Sequence, residues 1–393
     1  MGTERQRCRS VTATWPKGFR AAGIACGIKP SGARDLAVVV NDGPSDQAAA
    51  VLTSNRFQAA PVLWTQQVAA DGRLRAVVIN SGGANACTGA PGFQDSHATA
   101  EHAAACLGVS ALDIAVCSTG LIGTRLPMAN LLDGVSMAVE QLRSDGGAAA
   151  AEAIMTTDSR PKSVAIEDGG LRIGGMAKGA GMLAPGLATM IVVVTTDANL
   201  TGIDLNQALR YATSRSFDRI DSDGCMSTND TVILMASGAS NVRPSQHQFQ
   251  ELLLGACADL AKQLIADAEG SSKDITVTVT SALSEDDALA VARAVARSNL
   301  LKCAIGGEDP NWGRVLAAAG TTQASFDPDR VDVAINGVWV CRQGGIGEDR
   351  DLVDLTARQV EIVIALHAGA EEATVLTNDL TAAYVHENSA YAT

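Results

Sequence analysis

Paired cysteines, histidine clusters, basic stripes and long apolar runs are all missing from this 393-residue chain, and each absence removes a class of function. The nine cysteines (Cys8, Cys26, Cys87, Cys106, Cys117, Cys225, Cys257, Cys303 and Cys341) are odd in number, scattered and never spaced C-x-x-C, so neither a zinc site nor a disulfide framework is indicated. With five histidines and no H-E-x-x-H, metal catalysis has little support, and no metal is expected. A formal net charge of −13 without a basic stripe argues against a nucleic-acid partner, because such affinity depends on clustered Lys and Arg neutralising phosphates. The same acidity mildly favours cationic substrates. No apolar run approaches the roughly 20 residues of a membrane helix, and residues 1–9 lack the apolar segment of a secretory signal. A cytoplasmic protein with no membrane partner is expected.

What the chain does have is enough apolar sequence, 47% of residues, to bury one large core or two moderate ones. Apolar β-branched runs alternate with Ala-rich helical patterns. Strands are expected at 36–40, 75–79, 190–196, 231–236, 275–279 and 360–366, and helices at 97–106 and 204–214. Ser245 and Gln248 stand in capping-box register before an apolar face of Phe249, Leu252, Leu253, Ala256, Leu260 and Leu264, predicting a long helix that ends near Gly270. Ser284 caps a helix through Ala296. Asn336-Gly337 joins 331–335 to 338–341 as a two-residue hairpin. The reading is a layered α/β architecture, divided softly near residue 280.

Several polar clusters stand at the ends of these strands. The segment from Lys178 through Gly181 and Pro185 to Ala188-Thr189, ahead of Ile191-Val-Val-Val194, places a threonine behind a small residue at the mouth of a buried strand. A threonine that begins a new chain carries its own base, since its α-amine has a pKa of about 7.7–8.0. Taken alone, the segment also reads as a glycine-rich loop before a core strand. Cys117-Ser-Thr119-Gly120 offers a hydroxyl and a close-approach backbone N–H to a developing oxyanion, or forms a plain hydroxyl turn. Asn80 to Gly89 and Met155-Thr156-Thr157-Asp158 are similar clusters, and Asp221 to Asp230 fails the calcium-loop pattern. Glu269 could hold a substrate ammonium, or precede a helix end closed by Gly270. Gly307 to Arg314 suggests no role.

Together and in order, with Pro16-Lys-Gly-Phe19, Thr53-Ser-Asn55, Ala59-Ala-Pro61 and Asn388-Ser-Ala-Tyr-Ala-Thr393, these clusters closely resemble the ornithine acetyltransferases, also called glutamate N-acetyltransferases, the ArgJ family. The resemblance implies an α/β layered sandwich of the DmpA/ArgJ type, with a catalytic domain at 1–280 and a smaller C-terminal α/β lobe at 281–393 whose tail returns to the active site. It implies autocatalytic cleavage between Ala188 and Thr189, giving an α chain of 1–188 and a β chain of 189–393. Thr189 is then the nucleophile of ping-pong transfer from N2-acetyl-L-ornithine to L-glutamate, with no cofactor. By the same resemblance Thr119 and Gly120 form the oxyanion hole. Thr156 (or its neighbour Thr157), Lys178, Thr189, Glu269, Asn388 and Thr393 line the substrate site. An assembly of two α and two β chains, or a multiple of it, is implied.

The chain departs from the usual family wording at two places. The commoner A-P-N-M-A-T reads Ala184-Pro-Gly-Leu-Ala-Thr189, and D-G-D-T-S-T-N-D reads Asp223-Gly-Cys-Met-Ser-Thr-Asn-Asp230. Such divergence also fits a paralogue in a secondary, antibiotic pathway. The other readings are a bifunctional member that also uses acetyl-CoA, a self-cleaving N-terminal-nucleophile amidase or aminopeptidase, and a non-catalytic ligand-binding protein.

Overall fold

The computed structural model describes residues 12–184 and 190–390. Its strands, in chain order, are β1 (Phe19–Ile24), β2 (Leu36–Asn41), β3 (Gln47–Leu52), β4 (Ala76–Ser81), β5 (Ile114–Thr119), β6 (Lys162–Asp168), β7 (Leu171–Lys178), β8 (Ile191–Thr196) and β9 (Thr231–Ala236). They continue as β10 (Asp274–Ala282), β11 (Asp332–Ile335), β12 (Val338–Arg342), β13 (Gly345–Ile346), β14 (Gln359–Ala365) and β15 (Glu371–Asn378).

Two sheets lie face to face. The first has the order β1-β2-β4-β5 and the second β3-β9-β8-β7-β6. Alternation along β8 and β9 shows why they stack. Ile191, Val193, Ile233 and Met235 join the core shared with the first sheet, whereas Val192, Val194, Val232 and Leu234 join the core beneath helices Leu205–Ser214 and Gln246–Ile265. Strands buried on both faces read as continuous apolar runs, and each large side chain so buried contributes about 1.5–3 kcal/mol. Helices Ala60–Val68, Gly89–Leu107 and Met128–Glu140 cover the outer face of the first sheet. The result is the expected layered α/β sandwich.

A third sheet, β13-β12-β11-β14-β10-β15, has its own core with helices Glu285–Ala296 and Trp312–Ala319. Its strand β10 runs through the division near residue 280. Among the described residues no helix is long and apolar enough to cross a membrane.

Local expectations meet the structure closely where a cap or turn specifies them. Ser245 and Gln248 form the capping box, and Ser284 accepts the Asp287 N–H. Asn336 and Gly337 both take positive φ between β11 and β12. The long helix stops at Ile265, short of Gly270, and the chain goes on in tighter turns, with the Asp267 and Ala268 amides donating to the Leu264 and Ile265 carbonyls.

Candidate active site

The two stacked sheets expose chemistry at one common edge. There β4 and β5 end together, with Ser81 opposite Thr119. On the facing sheet β7 ends at Lys178, opposite Ile191 at the start of β8, which in turn lies opposite Thr231 at the start of β9. Five strand termini therefore meet at this edge.

Thr119 is buried, and its Oγ1 accepts a hydrogen bond from Lys178 Nζ at 3.1 Å. Because the lysine fills an acceptor position, the threonine O–H is left free to donate elsewhere. Gly120 follows with φ +129°, and a Cβ there would lie 2.5 Å from the Gly83 nitrogen. Only glycine permits this approach of the two backbones.

Lys178 is 2% exposed. Burial pulls its pKa down, and the charge of Asp158 pulls it back up. Asp158 organises the floor of the site. Its Oδ1 accepts from Lys162 Nζ at 2.5 Å and from the Gly179 N–H at 2.7 Å, and its Oδ2 accepts from the Thr156 N–H at 2.9 Å. Burial alone would raise this carboxyl, yet Lys178, Lys162 and the Gly179 amide bring it down to about 2. Lys162, fully buried, is shared with Asp267 at 2.6 Å. Such a group of buried charges is tolerable only because each has a partner.

Glu269 enters from the opposite wall. Its N–H donates to the Ala180 carbonyl at 2.9 Å, and its Oε2 accepts from Asn388 Nδ2 at 3.1 Å. Gly181 lies directly under the carboxylate, since a Cβ there would meet Oε2 at 2.5 Å. The tail reaches this point through helix Ala382–Glu387, whose N-cap Thr381 donates to the Gly270 carbonyl at 2.6 Å.

Thr119, Gly120, Thr156, Thr157, Lys178, Gly181, Met182, Glu269 and Asn388 line one cavity of about 110 Å³. Six residues singled out in the sequence are thus brought together, and both members of the Thr156/Thr157 pair face the same space. Ala188, Thr189 and Thr393 lie outside the described residues. Sequence reasoning missed Lys162 and Asp267, while Gly181 and Met182 stood in the noted Lys178-to-Thr189 segment without an assigned role. A lone lysine at a strand start and a lone aspartate past a helix carry no pattern that could have paired them. Asp158 stood in a noted cluster without an assigned role. The arrangement supplies hydroxyl and backbone donors on one wall, an amine beneath them, and a carboxylate opposite. That set suits acyl transfer involving a substrate with a cationic end.

A family model described as ArgJ family matches residues 20–393. The arginine biosynthesis bifunctional protein ArgJ of Streptomyces avermitilis is 63% identical, across 97% of this chain and 99% of that protein. The protein of the same name from Thermobifida fusca is 62% identical, across 98% and 100%. A solved structure of ornithine acetyltransferase complexed with ornithine from Mycobacterium tuberculosis is 57% identical, covering 47% of this chain and 97% of that one, with a TM-score of 0.45.

Proposed function

The chain belongs to the ArgJ family, and on that premise we propose that it is an ornithine acetyltransferase, moving an acetyl group from N2-acetyl-L-ornithine to L-glutamate through an acetyl ester on Thr189. The observation that carries this reading is the convergence of Thr119, Gly120, Thr156, Lys178, Glu269 and Asn388 on one cavity. Gly181 and Met182, close before residue 189 in the chain, line the same space.

The nucleophile is made first. The Thr189 hydroxyl attacks the Ala188 carbonyl carbon, the peptide C–N bond breaks, and the freed amine takes the hydroxyl proton. Water then hydrolyses the resulting ester, leaving a carboxylate on Ala188 and a free Thr189 amine. That amine accepts the hydroxyl proton in each later cycle. The hydroxyl attacks the acetyl carbon of acetylornithine, and the amide C–N bond breaks as ornithine leaves with the proton. Glutamate's amine attacks the ester and regenerates the hydroxyl. Thr119 O–H and the Gly120 N–H stabilise the oxyanion at each tetrahedral stage. Lys178 faces a substrate carboxylate, and Glu269 faces the ornithine ammonium.

A cut at 188/189 leaves the two products in one sheet, because β3, β6 and β7 precede it while β8 and β9 follow, in the spatial order β3-β9-β8-β7-β6. We further propose a cytoplasmic assembly of two α and two β chains, or a multiple of it. The alternative reading is a bifunctional enzyme that also uses acetyl-CoA as a donor.

Denaturing electrophoresis with N-terminal sequencing, followed by assay of acetylglutamate, tests the proposal. Two fragments are expected, the second starting at Thr189, with Thr189→Val abolishing both cleavage and transfer. An active but uncut chain overturns the reading, and consumption of acetylornithine without acetylglutamate points to an amidase instead. Acetyl-CoA plus glutamate, with no acetylornithine, tests the second donor.

A further inference from the structure

Asn229 and Asp230 lead into β9, and their side chains reach to different sheets. The Asn229 amide donates to the Ser118 carbonyl at 2.8 Å and to the Ala84 carbonyl at 2.6 Å, on the side of the first sheet. Asp230 Oδ1 accepts the Met190 N–H at 3.1 Å, at the entrance to β8 on the second sheet. The following residue continues the grip, since the Thr231 N–H donates to the Met190 carbonyl at 3.1 Å. Both side chains are buried, Asn229 at 5% and Asp230 at 0% exposure. Asp230 Oδ2 has no partner at hydrogen-bond distance among the described residues.

We propose that Asn229 and Asp230 are a positioning pair for acyl transfer: one holds the backbone beside Thr119, the other holds the amide of residue 190, and together they set the spacing between the Thr119 hydroxyl and the chain entering β8. The inference rests on the reading that residue 189 carries the nucleophile. Two adjacent residues of one rigid strand entrance are a short ruler between the two sheets, and acyl transfer tolerates little misplacement of nucleophile against oxyanion donors.

The surroundings of Asp230 favour its neutral form. Burial drives its carboxyl well above the ordinary carboxylate range and Asp218 adds to that, while the Met190 amide, the Ser227 hydroxyl and the charge of Lys178 recover only part. An ionised carboxylate removed from water needs donors on both oxygens, and Oδ2 has none at hydrogen-bond distance among the described residues. An amide of the same shape meets the same geometry, with its oxygen taking the Met190 N–H. Asparagine is therefore the conservative replacement, and alanine is not.

The test compares Asp230→Ala, Asp230→Asn and wild-type full-length protein for cleavage, kcat and KM, with infrared detection of a buried protonated carboxyl. In Asp230→Ala, kcat is expected to fall about 10- to 100-fold with KM within about twofold, and uncut chain to accumulate. Asp230→Asn recovers most of kcat and of cleavage, and loses the protonated-carboxyl band seen in wild type. Wild-type rates in Asp230→Ala overturn the proposal. So does a folded Asp230→Asn as slow as Asp230→Ala, a raised KM with unchanged kcat, or absence of the band. If Asp230→Ala does not fold, Asp230→Asn and the band decide. Should wild type neither cleave nor transfer acetyl, the proposed function fails by itself. The band and the hydrogen-exchange protection of the Met190 amide then still decide whether Asp230 holds that residue.

Discussion

Lys178 Nζ meets Thr119 Oγ1 at 3.1 Å across the two stacked sheets, although 59 residues separate them in the chain. Each fixes the other's rotamer. On the proposed mechanism Thr119→Ala removes one oxyanion donor and lowers kcat about 10²- to 10³-fold, whereas Thr119→Ser keeps most of it. Initial rates of acetylglutamate formation check this, and a loss under threefold in Thr119→Ala removes Thr119 from the mechanism.

Glu269 sits over Gly181, so the two can be perturbed separately. Glu269→Gln keeps the bond to Asn388 but removes the charge, and KM for acetylornithine is expected to rise about tenfold. Gly181→Ala pushes the carboxylate aside, giving the same rise in KM. Its melting temperature changes little, because the atoms displaced are the far end of a flexible side chain. Unchanged kinetics in both variants would mean that Glu269 meets no ammonium.

Asp158 makes acid stability a local property. Its folded pKa, about 2, lies below the usual value of 3.8, so the unfolded chain binds the proton more readily. The stabilisation is therefore fully present above about pH 4 and lost as pH falls toward 2, amounting to about 2 kcal/mol. Urea unfolding at pH 5 and at pH 3 is expected to show about half of it, about 1 kcal/mol, already lost at pH 3. Asp158→Asn is expected to be less stable at pH 5 by about 2 kcal/mol, since Lys162 keeps only Asp267 and Lys178 loses a nearby carboxylate, and to show a shallower acid slope.

Asn388 ties the chain end to the cavity through Glu269. Removing residues 388–393 is expected to abolish acetyl transfer while leaving cleavage intact, read by assay and denaturing electrophoresis of the same preparation. Loss of both together would instead assign the tail to folding.

Elements with a strong local signal were legible before any coordinates. Strands β2, β4, β8, β9 and β14 are dense in β-branched residues, and the helices after Ser245 and Ser284 carry their caps in the sequence. Others left no such mark. In β6 and β7, Lys162, Glu167, Asp168 and the pair Gly174-Gly175 interrupt the apolar pattern, yet both strands form because each pairs along its full length with a neighbour. β3 is an alanine-rich strand, Gln47-Ala-Ala-Ala-Val-Leu, whose intrinsic preference is overridden by pairing with β9.

By itself the sequence determined the layered α/β class, the caps and turns, and, through motif resemblance, the names of the residues around the cavity. Those properties depend on neighbours within a few positions, or on matching words in order. Only the tertiary structure decided that Lys178 supports Thr119, that Lys162 is shared by Asp158 and Asp267, and that Asn388 meets Glu269. These contacts bridge separations of 59, 105 and 119 residues. Their energies come from burial that no local stretch possesses, because a lysine and a carboxylate acquire such partners only after stacked sheets have excluded the water that would otherwise satisfy them.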